Sequence, residues 1–237
     1  MAGRHSDRDI PAYVSEKTGL VVQNGAFGGL TMSLINTSKY AGNMSDHFTM
    51  CRLSEAVLNH DFSFQIMASQ KNNNKVVEYF YDASKELHDI DWEKVNVICI
   101  EQGVNDYLNG IRLDNEADRY DLNTFGGALR YSIENIMKGA KNAKLVIITP
   151  IYCKPDGIEG DCLSKDFGGG VLNDYVSLER EIAREYGVFI IDNFSEIDIN
   201  EDNVENYLPG GLHPSDAGVA LIGDNISKHL EEIYENN

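Results

Sequence analysis

Three short clusters hold the residues whose types and spacing could do chemistry. The first is Asn24-Gly25-Ala26-Phe27-Gly28-Gly29-Leu30-Thr31, the second Gly103-Val104-Asn105-Asp106, and the third Gly210-Gly211-Leu212-His213-Pro214-Ser215. Glycines let a backbone N–H approach another group closely. An asparagine amide is a neutral donor at any ordinary pH, and an imidazole takes up and returns a proton near neutrality. Each cluster also has a plain structural reading. Gly28-Gly29 can simply be a tight turn, Asn105-Asp106 a helix cap, and His213 an ordinary surface or core histidine. The glycines do not follow the G-x-G-x-x-G spacing and no phosphate-loop lysine follows them, so a nucleotide cradle fits poorly. What gives the clusters weight is their order and their common address in the chain.

That address comes from the elements around them. Four β-branched runs stand out: Leu20 to Gln23, Val95 to Ile100, Lys144 to Pro150 and Val188 to Asp192. The last three are almost continuously apolar, as strands covered on both faces are. Segments of helical period lie between and around them, over Ile10 to Thr18, Val76 to Leu87, Leu122 to Ala140, Leu172 to Tyr186 and from Ser215 or Asp216 to Tyr234. Gly19 is a natural stop for the first, and Ser215 a natural N-cap for the last. Such alternation predicts right-handed βαβ units and a parallel sheet in one α/β domain spanning 1–237, with a less regular insertion at 32–74 between the first two of these strands. In parallel sheets ligands bind in the loops leaving the carboxyl ends of strands. All three clusters fall in or beyond such loops.

Composition narrows the function classes. The chain has 237 residues, 42% of them apolar, which is ample for a buried core and excludes a disordered chain. With 38 acidic and 20 basic side chains the net charge is −18, which repels nucleic-acid phosphates and anionic lipid alike. A neutral or cationic partner remains, and neither nucleic acid nor membrane is expected to bind. The four cysteines show no metal-ligand spacing. Cys99 lies in an apolar run and reads as a small buried side chain. Cys153 and Cys162 flank a Gly/Asp loop and could meet as a disulfide, though nothing else marks an oxidising compartment. No secretory signal opens the chain, so the cytoplasm is expected for it as given, and secretion if an upstream signal has been lost.

Taken together, the clusters resemble the conserved blocks of the SGNH (GDSL-type) hydrolases. Asn24 to Thr31 is similar to that family's second block, Gly103-Val104-Asn105-Asp106 to its third, and Gly210 to Pro214 with Gly218 to its fifth. The resemblance covers almost the whole chain. It implies a flavodoxin-like three-layer α/β/α fold with a parallel sheet, and an ester hydrolase of acylesterase, lipase or carbohydrate-esterase type. It also implies that the Gly29 N–H and the Asn105 side chain form an oxyanion hole and that His213 is the catalytic general base. Asp106 then orients its loop rather than reacting. No cofactor or metal is implied. The partner is a small-molecule or carbohydrate ester, and the oligomeric state is left open. Tyr107, Tyr152 and Phe167 are candidates to line an acyl or sugar site, or else ordinary loop aromatics.

Two expected residues are missing. The family's first block, Gly-Asp-Ser on the first strand, supplies the nucleophile. Only 23 residues precede Asn24, and they hold neither that motif nor an apolar strand. Ser6 has no strand to hold it. A rival alignment sets Gly25-Ala26 on the first block, with Ala26 in place of serine. Gly210, in turn, stands where the family has the triad aspartate; some members work with a Ser–His pair. Loss of an inner strand would break the core, so the expectation is a chain truncated at its N-terminus whose serine lies outside it. The alternative is a catalytically inactive binding module on the same fold.

Overall fold

The computed structural model describes residues 9–35, 46–70 and 77–235. Helices α1 (Ile10–Thr18), α2 (Met50–Asn59), α3 (Ser63–Gln70) and α4 (Tyr79–His88) precede strand β1 (Val97–Glu101). There follow α5 (Val104–Leu108), α6 (Phe125–Gly139), β2 (Lys144–Ile148), α7 (Leu172–Tyr186), β3 (Phe189–Ile191), α8 (Asn193–Glu196), α9 (Val204–Tyr207) and α10 (Asp216–Glu235). The strands form a parallel sheet in the order β1-β2-β3, with Val97 opposite Lys144 and Val146 opposite Phe189. Residues 145–148 of β2 are all buried, as expected of a central strand covered on both faces.

Local signals in the sequence set the helix ends. Asp9 accepts a hydrogen bond from the Ala12 N–H at 2.8 Å, Pro11 sits in the first turn of α1, and Gly19 closes it at φ 72°. Thr124 caps α6 by accepting from the Gly127 N–H at 3.2 Å. Gly187 ends α7 in the left-handed region. The Ser215 hydroxyl accepts from the Gly218 N–H at 3.3 Å at the start of α10. Two helical groups flank the sheet in a three-layer α/β/α arrangement, α1 packed on α10 and α2 on α6, with α7 beside α6. Gly139 permits the second contact: a Cβ there would lie 2.5 Å from the Val57 carbonyl oxygen and 2.7 Å from the Leu58 Cα.

The predicted strand at Leu20 to Gln23 is not one. Among the described residues no strand precedes Val97, and Val21 is fully exposed. A strand exists through its ladder, and this segment has no neighbour to pair with. The 32–74 insertion therefore lies between that non-strand segment and β1. Its described parts include α2, α3 and a short 3₁₀ turn at Asp46–Phe48. Ser6, Val76 and the Asn72-Asn73-Asn74 run lie outside the described residues.

Candidate functional site

Of the three sequence clusters, the second directly follows strand β1, the first follows a segment that is not a strand, and the third lies beyond β3 and α9, ahead of α10. Gly103 follows β1 and opens α5 at φ 110°, a conformation open to glycine and costly for other residues. The Pro150 ring lies 3.2 Å from where its Cβ would be. This sharp turn directs Asn105 back toward the earlier loop. There its Nδ2 donates to the Leu30 carbonyl at 2.7 Å, one residue beyond Gly29. Gly29 is exposed in its turn at φ 77°, with nothing within 4 Å of a hypothetical Cβ. The Gly28 N–H beside it donates to the Tyr79 hydroxyl at 2.7 Å. Gly29 and Asn105 are thus joined through Leu30.

Asp106 locks the two loops from below. Its side chain is wholly buried and accepts from the Met32 N–H at 2.8 Å, the Ser33 N–H at 3.1 Å and the Ser33 hydroxyl at 2.6 Å. Burial pushes its pKa up to about 6, against the opposing pull of those hydrogen bonds. Its oxygens are taken up by structure, in line with the orienting role expected of it. Nothing in the sequence pattern marks Glu179 on α7, which is buried under the Gly103 turn. A Cβ at Gly103 would lie 3.6 Å from its Oε1, and its Oε2 has no hydrogen-bond partner. Burial, reinforced by the charges of Asp106 and Glu101, raises its pKa well above the usual carboxylate range.

Both loops line a cavity of about 580 Å³ that runs along the free edge of β1. Val97 to Glu101 form one side and Leu20 to Leu30 the other. Val14 of α1 and Leu230 of α10 line it, as do Leu53 of α2 and Ile136 of α6. It therefore lies level with the sheet, between the two helical layers. Cys99 opens into it and is exposed, not the buried small side chain expected, because among the described residues no strand flanks β1 on that side. The surrounding protein still raises its thiol to about 12.

His213 lies outside this lining. It is exposed just before α10 and makes no hydrogen bond to other described residues. Its link to Asn105 is indirect, through the loop leaving β2. Pro150 of that loop borders the cavity beside Gly103. Farther on, the Lys154 N–H donates to the Gly211 carbonyl at 2.9 Å and the Asp156 N–H to the Gly210 carbonyl at 3.2 Å. The structure thus ties the Asn105 side chain to Leu30, next to Gly29, and leaves His213 on an adjoining loop.

The loop aromatics take the structural reading. Tyr107 is buried, stacks edge-on against Phe167 and donates to the Lys165 carbonyl at 3.0 Å. Tyr152 is also buried and donates to Asp161 at 2.7 Å. Cys153 and Cys162 are neighbours, with the Cys153 N–H 3.2 Å from the Cys162 sulfur, but both are free thiols. Among the described residues no helix is long and apolar enough to cross a membrane, and no group of three or more His, Cys, Asp or Glu could hold a metal ion.

Comparison with known proteins agrees with this architecture. One solved structure is 27% identical, with a TM-score of 0.55, over 63% of this chain and 69% of its own. A protein from Lactobacillus plantarum is 23% identical, with a TM-score of 0.53, over 59% of this chain and 68% of that one. Est24, a carbohydrate acetylesterase from Sinorhizobium meliloti, shares only 11% identity but aligns over 96% of this chain and 86% of its own, with a TM-score of 0.51. No curated protein sequence matches. The model of the GDSL-like lipase/acylhydrolase family matches residues 2–221, nearly the whole length, and the chain belongs to that family.

Proposed function

We propose that this chain is the body of an ester hydrolase whose oxyanion hole is formed by the Gly29 N–H and the Asn105 amide, with His213 as general base. The observation that carries the reading is the Asn105–Leu30 hydrogen bond, which draws the two donors together at the wall of one cavity. One Nδ2 hydrogen of Asn105 is held by the Leu30 carbonyl, and the other is left for a substrate oxygen. At Gly29 no side chain stands between the backbone and a carbonyl.

Chemistry on this frame needs a serine hydroxyl that the described residues do not bring to these donors. Ser33, the nearest in sequence to Gly29, is buried and donates to Asp106. The serine is assigned to a strand outside this chain. The cavity beside β1, in the plane of the sheet and ending at Gly29 and Asn105, has the place such a strand would take. The hydroxyl adds to the ester carbon while His213 takes its proton. The oxyanion is met by Gly29, Asn105 and the serine's own N–H. Collapse expels the alcohol, which receives the proton from His213, and water repeats the sequence on the acyl group. Each preorganised donor contributes about 2.7–4 kcal/mol to the barrier reduction. The acidic surface favours neutral esters, small or carbohydrate-borne, over anionic ones.

The test is p-nitrophenyl acetate hydrolysis by this chain and by the chain carrying the residues encoded directly upstream of Met1. Activity in the extended form that falls roughly 10⁴-fold or more in His213→Ala supports the reading. A folded but silent extended form would favour the inactive binding module.

A further inference from the structure

A general base needs a third group to hold its ring, and His213 makes no hydrogen bond to any described side chain. Gly210 precedes it by three residues and offers no carboxylate. Its φ of 75° lies in the left-handed region, and its N–H points to the Glu205 carboxylate at 3.4 Å. The space in front of it is occupied from elsewhere. A Cβ built on Gly210 would stand 3.5 Å from the Asp156 Oδ2. Asp156 is on the loop leaving β2, whose N–H groups at 154 and 156 donate to the carbonyls of 211 and 210. The same loop presses on Gly211 so closely that a Cβ there would collide with the Lys154 carbonyl. Lys154, two residues before Asp156, is paired with Glu201 at 2.6 Å. The Asp156 side chain is exposed and makes no hydrogen bond to other described residues.

We propose that Asp156 supplies, from the neighbouring loop, the carboxylate that orients His213, taking the part that a side chain at 210 would otherwise play. The inference rests on the hydrolase reading for its purpose but not for its test. Asp156 is a positioning residue: its proposed partner is the imidazole, not the substrate. The two side chains are free to meet because neither is otherwise engaged, and catalytic hydrogen bonds are often long before substrate binds.

The experiment is NMR of the His213 ring nitrogens in the chain as it stands, which requires no turnover. The 15N shifts should report a dominant Nδ1–H tautomer, which Asp156→Asn is expected to lose and Asp156→Glu to keep in part. Neither Glu205→Gln nor Asp216→Asn should change it. Thermal melting of each variant shows whether the fold is intact. A tautomer unchanged in folded Asp156→Asn, or one that changes only with Glu205 or Asp216, would overturn the assignment. In an active extended form, Asp156→Asn should lower kcat with little change in KM. An inactive extended form leaves the NMR result standing, so the two readings fail separately.

Discussion

At the scale of single residues, Asn105 and Asp106 are adjacent yet do different work. Asn105 gives one amide hydrogen to the Leu30 carbonyl, and in the proposed mechanism the other meets the substrate. In the extended enzyme Asn105→Ala is expected to cut kcat by roughly 10²–10³-fold, read by steady-state kinetics, with a stability loss of only about 1 kcal/mol for the Leu30 hydrogen bond. Asp106 is buried, and its pKa is about 6 against 3.8 in an exposed chain. Between those values the folded state binds more protons than the unfolded one. The Asp106 contribution is therefore full below pH 3.8 and is lost as pH rises through about 6, a change of about 3 kcal/mol. Urea unfolding should show the wild type losing stability relative to Asp106→Asn between those two pH values. A difference that is flat with pH would refute it. The motifs marked the Gly29 and Asn105 loops by residue type, and the structure ties those two loops together through the Asn105 side chain and the Leu30 carbonyl. The partners of Asp106 and the orphan oxygen of Glu179 were not legible, because they depend on which backbone a folded loop brings near.

Elements were read from the sequence wherever their ends are locally encoded. The bounds of α1 and α7 coincide with their predicted spans, each closed by a glycine in the left-handed region. The run at Leu20 to Gln23 has strand composition but no ladder, because pairing is a property of two segments and among the described residues it has no partner. Likewise the close seat of α6 on α2 rests on Gly139, which in sequence looks like any late-helix glycine. Gly139→Ala would drive a methyl into the Val57 carbonyl and is expected to destabilise the fold by roughly 1–3 kcal/mol. Thermal denaturation measures it; an unchanged melting temperature would mean the two helices can part at no cost.

For the whole molecule, the cavity at the edge of β1 leaves that strand with a free side. Among the described residues β2 is paired on both sides and buried, whereas β1 has one partner and faces about 580 Å³ of open space. Hydrogen exchange should therefore find the amides of β2 protected well beyond those of β1, with the gap closing in the extended chain. Equal protection in this chain would contradict the picture of an open edge. The central claim is that a serine delivered along that edge meets Gly29, Asn105 and His213. Labelling the extended chain with an alkyl phosphonofluoridate, and mapping the adduct by peptide mass spectrometry, tests it most directly. The account predicts a single modified serine in the segment upstream of Met1, with labelling slowed severely in His213→Ala. A folded extended protein that takes no label, or takes it on a serine within residues 1–237, would contradict it.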